Sequence, residues 1–117
     1  MTFWITDWLR MFALTLLVEL AVALPLWRAT EPRVLRRAAA VALVNLATHP
    51  VVWFVIPGAA LGQASRACIS ELWAVGIEAL AYRVIFPLAD WRRTLTISFL
   101  ANLASFVAGE LLHVLDR

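Results

Sequence analysis

Residues 11–27 read MFALTLLVELAVALPLW, an apolar run broken by a single charge, Glu19. A bilayer core about 30 Å thick needs about 20 mostly apolar residues per helix. Extended back to Asp7, the segment 7–27 has that length. Ala21-Val22-Ala23 imitates a signal-peptide cleavage site, but Asp7 and three aromatic residues around a lone Arg10 are not a basic leader. The run therefore reads as a membrane span. A carboxyl at the bilayer centre costs at least about 2.5–3.5 kcal/mol on insertion scales, so Glu19 should face protein or a wet cavity.

Three further segments have the same character: 37–56, 66–86 and 91–115. The breaks between them are polar or rich in turn residues. Arg28-Ala29-Thr30-Glu31-Pro32-Arg33 supplies charge, an N-cap Thr and a helix-starting Pro. Pro57-Gly58 opens the second connection, and Pro87 to Arg93 forms the third. The expected fold is an all-α membrane protein, a bundle of four transmembrane helices within a single domain, 1–117.

Composition agrees. The chain has 117 residues, is 63% hydrophobic and has a mean hydropathy of +0.84. Soluble domains are about 45–50% apolar, and one this small has too little interior to hide the excess. The net charge of +2 arises from ten Arg, with no Lys, against eight acids. That balance is too weak to imply nucleic acid. Cys68 is the only cysteine, so no intramolecular disulfide can form.

The arginines orient the bundle, because positive residues near span ends stay on the cytoplasmic side. Arg28, Arg33, Arg36, Arg37, Arg83, Arg92 and Arg93 lie at the first and third connections; Arg10, Arg66 and Arg117 lie at the other end. Seven against three places the turns 28–36 and 87–93 in the cytoplasm and both termini outside, in the cell membrane. Trp4, Trp8, Trp27, Trp73 and Trp91 fall near expected span ends, as an interfacial aromatic belt would, and Trp53 lies towards the outer end of its helix.

The second and fourth spans resemble each other. Asn45-Leu46-Ala47-Thr48 aligns with Asn102-Leu103-Ala104-Ser105 at an offset of 57, and Val18-Glu19 matches Ile77-Glu78 at an offset of 59. The chain thus reads as a repeat, 7–56 and 66–115, of two tandem hairpins running in the same direction. Their axis would lie along the membrane normal, unlike the inverted repeats of many transporters. The competing explanation is chance similarity in an apolar alphabet of few letters. Counted at about 1.5 Å per residue, Glu19 and Asn45 both lie about 13 Å from the inner turn. Each hairpin is expected to bring a Glu and an Asn together, since an amide can serve either protonation state of a carboxyl.

These pairs define the candidate ion or proton site: Glu19, Glu78, Asn45, Asn102 and His49, which lies one turn beyond Asn45. Intramembrane acids mark proton or cation paths by default; the alternative is interhelical glue. Pro50 frees the carbonyl of Leu46 and can kink the second helix. Secondary candidates are Glu71 and Tyr82, on the face of Glu78, and Ser105. Glu71 is expected near the outer interface, and Arg83 is expected to snorkel inward, with an acid as its alternative partner. Ser98, Asn102, Ser105, Gly109 and His113 form a stripe on the fourth helix. Ala101, Ser105 and Gly109 make a small-residue seam suited to close helix approach. Gly58 and Gly62 repeat that spacing in a loop, where it signals little.

His49 and His113 are the only histidines, and His113 falls near a helix end, so no metal site is expected. Neither a catalytic Ser–His–acid set nor a phosphate-cradling Gly loop is present, so neither an enzyme nor a cofactor is expected. The reading favoured is an oligomeric proton- or ion-coupled channel or transporter, with the lipid bilayer and further copies or other membrane subunits as partners. The alternative is a non-catalytic structural or assembly subunit of a larger membrane complex. An apolar cavity for a hydrophobic ligand is a third option that no residue specifically demands.

Overall fold

The computed structural model describes residues 2–56 and 62–117, and side chains from Ile5 onward. The Trp4 side chain, Pro57 and Gly58 lie outside the described residues. The elements are α1 (Thr2–Leu26), α2 (Val34–Pro50), a π-helical segment (Val51–Val55), α3 (Gln63–Ile85) and α4 (Trp91–Leu115). No strand occurs among the described residues.

Local chemistry sets most of the boundaries. After α1 the chain turns through Thr30 N–H to Trp27 O and Glu31 N–H to Trp27 O. Thr30 and Pro32 do not start α2, as the sequence led us to expect. The cap position is Arg33, in extended conformation and without a side-chain cap. Glu31 Oε1 instead accepts both the backbone N–H and the Nε–H of Arg33, each at 3.0 Å, holding the segment outside the helix. Asp90 caps α4, with Oδ1 accepting the Arg93 N–H at 2.7 Å. Pro50 does not end the second helix. The chain passes directly into the wider π turns of Val51–Val55, a common way to absorb a missing backbone donor.

Among the described residues, three helical stretches are long and apolar enough to cross a membrane: Ile5–Leu26, Val34–Val55 and Trp91–Leu115. At 23 residues α3 has the length, but Arg66, Glu71, Glu78 and Arg83 lower its hydropathy. Four spans were expected; α3 is the one that composition alone leaves short.

α1 packs on α2 and α4, and α3 packs on the same two, so α1 and α3 occupy opposite corners of a four-helix bundle. The whole measures 40 × 25 × 24 Å. Its apolar core lies at the end where the α1–α2 and α3–α4 turns meet, around Ala23, Trp27, Val41, Tyr82, Phe86 and Ile97. Trp27 was expected at the interface, yet it is fully buried, with ring centroids 5.1 Å from Tyr82 and 4.7 Å from Phe86. Trp27 follows the buried Ala23 by one turn and continues the inward face of α1 just past its end, and the charged chain begins only at Arg28. Trp91 remains half exposed.

Arginines tie this end together. Arg37 is buried on α2 and donates to Leu24 O at 2.5 Å and Pro32 O at 3.3 Å. Arg93 donates to Leu26 O at 3.2 Å. Arg83 donates to Pro87 O and Ala89 O and lies 5.3 Å over the Trp91 ring, so its partners are carbonyls and an aromatic face and not an acid. These carbonyls lie in the last turn of α1 or in the two connections, where helical partners are lacking.

Candidate functional site

At the other end the helices separate around a cleft of about 510 Å³. Gln63, Glu110, His113, Asp116 and Arg117 line its mouth; Glu19, Asn45, Thr48, Glu78, Asn102 and Ser105 form its polar interior. Beyond that interior the Trp27–Tyr82–Phe86 core closes the bundle, so the cleft opens on one end only.

The two carboxyls are held alike. Glu19 on α1 accepts the Asn45 amide N–H from α2 at 2.8 Å and the Ser105 hydroxyl from α4 at 3.3 Å. Glu78 on α3 accepts the Asn102 amide N–H from α4 at 2.7 Å and the Thr48 hydroxyl from α2 at 3.0 Å. Each amide also donates to the carbonyl one turn back, Val41 O at 2.9 Å and Ser98 O at 2.8 Å. In both cases the carboxyl takes an amide from one neighbouring helix and a hydroxyl from the other. Glu19 and Glu78 are essentially inaccessible, at 0% and 1% exposure, although their edges border the cleft.

The remaining expected residues divide. Glu71 lines the cleft and is only partly exposed. Tyr82 sits beneath the pair in the closed core and is not part of the cleft. His49 borders the cleft but bonds to neither Glu. Its Nδ1 accepts the Trp8 indole N–H at 2.9 Å, which leaves Nε2 to carry the ring proton. Phe12 and Trp53 flank the same ring at 5.3 and 6.2 Å. On α4, Ser98 donates to Val75 O at 2.9 Å, and His113 meets Arg117 at 3.3 Å at the mouth. The small-residue seam lies between α1 and α4: Ala101 is fully buried, and a Cβ on Gly109 would meet Met11 Cε at 3.5 Å.

Sequence reasoning missed three features. Thr48 was only the last letter of a repeated tetrapeptide, although its hydroxyl position, shared with Ser105, was the available signal. The Trp8–His49 bond joins residues 41 apart and left no local trace. Burial of Trp27 was hidden by its place beside the arginines. No group of three or more His, Cys, Asp or Glu able to hold a metal ion occurs among the described residues.

Fold and site together define a small helical bundle with membrane-crossing character and a hydrogen-bonded carboxyl pair inside a one-ended polar cleft. No protein-family model, curated protein or solved structure matches the chain.

Proposed function

We propose that the protein is a four-span membrane protein that moves protons or cations through Glu19 and Glu78. The observation that carries this reading is the pair itself: two carboxyls held between helices at the end of a cleft open to one side. Ionisable groups placed so deep face functional cavities as a rule. The fourth span is α3. Its charges turn towards the cleft or the ends, while Leu72, Leu80 and Val84 present 74%, 52% and 76% of their surfaces outward, a face suited to lipid.

Internal duplication accounts for the matched bonding. Aligned in sequence, the first hairpin matches Glu19 with Glu78, Asn45 with Asn102 and Thr48 with Ser105. The Arg-bearing turns face the cytoplasm, and the cleft opens on the side of the termini. One bundle holds a cleft and not a through-pore, so the active form is an oligomer or alternates between two conformations. Reconstitution in liposomes tests the proposal: Glu19→Gln and Glu78→Gln should abolish proton or cation flux. Flux unchanged in both variants would end it.

One observation favours a second reading, that of a structural subunit. Both oxygens of each carboxyl already bind neighbouring helices, as interhelical glue would. On that reading the same substitutions lower thermal stability, no flux exists to lose, and the purified protein brings a membrane partner with it.

A further inference from the structure

The cleft is larger than proton chemistry requires. A proton needs no cavity, whereas about 510 Å³ falls within the roughly 300–1,000 Å³ of pockets that enclose small organic molecules. Its charge is one-sided. Glu19, Glu71, Glu78, Glu110 and Asp116 line it, against the single guanidinium of Arg117 at the mouth. His49 adds no charge, because its Nδ1 accepts the Trp8 N–H and only Nε2 holds a proton. A cleft with this balance attracts cations and repels anions.

The acids are not equivalent. Both oxygens of Glu19 and of Glu78 already accept bonds from neighbouring helices. Glu71 lies seven residues before Glu78, on the same face of α3 and nearer the mouth. Among the described residues no hydrogen bond or ion pair holds its carboxyl, although it is only partly exposed. A carboxylate withdrawn from water without a partner is costly, and a cation in the cleft supplies the missing partner.

Two observations choose among cations. A divalent metal ion needs several oxygens at about 2.0–2.6 Å. The acids are instead strung along the cleft, and no group of three or more His, Cys, Asp or Glu able to hold a metal ion occurs among the described residues. Much of the remaining lining is apolar, with Trp53 from the π segment, Phe106 from α4 and Met11 from α1. Glu19, Glu71 and Glu78 thus come from α1 and α3, at one pair of opposite corners, and the two rings come from the other pair. Aromatic faces bury an apolar body and also attract a positive charge through the ring quadrupole.

We propose that the cleft is a site for an organic cation, an ammonium or phosphonium centre beside the Glu71 carboxylate with its apolar body against Trp53 and Phe106. That this cation is also the species moved rests on Glu19 and Glu78 being a transport site.

The test titrates the full chain in detergent micelles with tetraphenylphosphonium, by equilibrium dialysis against empty micelles. Tetraphenylborate, of the same shape and opposite charge, is the control. The wild type should bind the phosphonium at one saturable site and take up no more borate than empty micelles do. Glu71→Gln removes the charge and no bond within the bundle; it should weaken binding by about tenfold or more, with helicity unchanged by circular dichroism. Trp53→Ala should weaken it by about tenfold, and Trp53→Phe, which keeps a ring, by less. Unchanged affinity in Glu71→Gln, equal uptake of the borate, or no saturable binding by the wild type would each overturn the site. Flux in liposomes separates the two ideas. If protons cross in a Glu19- and Glu78-dependent way but the phosphonium does not bind, only the organic-cation site fails. If the phosphonium binds as described but no flux exists, the transport reading fails and the site stands.

Discussion

Glu78 is held by an amide and a hydroxyl from two different helices, so the two bonds are separable by mutation. Interhelical hydrogen bonds in membranes contribute on average about 0.6 kcal/mol, and about 1.7 at most. Thr48→Val should therefore destabilise by about 0.6 kcal/mol. Asn102→Ala also removes a donor from Ser98 O, and should cost about 1–2 kcal/mol in reversible detergent unfolding. A double-mutant cycle between Asn102 and Glu78 that returned no coupling would contradict the geometry. Outside the spans, the Arg33 side chain and backbone hold the Glu31 carboxyl below its ordinary value. A depressed folded-state pKa gives a stabilisation that is present above the unfolded value and fades as pH falls through the folded one. Glu31→Gln should accordingly lower stability slightly near neutrality, flatten the acid side of the stability–pH curve and match the wild type at low pH.

At the scale of elements, the helices were legible, three of them as stretches long and apolar enough to cross a membrane, because such runs stand out against turns rich in Pro, Arg and Asp. The Glu–Asn pairs were legible too, since equal distances from a turn place residues at equal depth on antiparallel helices. The α2 start was not: Thr30 and Pro32 carry the usual signals, but the Glu31–Arg33 interaction displaces the start to Val34. Nor was the π segment after Pro50, because one missing N–H can kink, end or widen a helix, and packing decides which. The α1–α4 seam makes its own prediction. A Cβ at Gly109 would meet Met11 at 3.5 Å, ordinary contact. Gly109→Ala should change stability by no more than about 0.5 kcal/mol. Gly109→Leu should overpack the seam and cost about 1–3 kcal/mol, measured in the same unfolding assay.

The whole molecule is packed at one end and open at the other. Aromatic rings and arginine–carbonyl bonds close the turn end; polar side chains line the cleft that reaches the termini. Accessibility should follow that asymmetry. With the exposed Cys68 replaced by Ala, Thr15→Cys and Ser105→Cys should react with a charged, membrane-impermeant thiol reagent supplied from the side of the termini. Ala23→Cys and Ala40→Cys, in the closed core, should stay unmodified from either side. Depth along this axis bears on the proposed transport, because a deep acid at the end of a one-sided cleft is placed to exchange with that side in this conformation. It needs a second conformation or an oligomer to reach the other. The most direct measurement is proton and cation flux into liposomes carrying the wild-type protein or the Glu19→Gln/Glu78→Gln double variant, with folding checked by circular dichroism. The account predicts flux from the wild type and none from a double variant that retains its helices. Equal flux from both, or none from either, would contradict it.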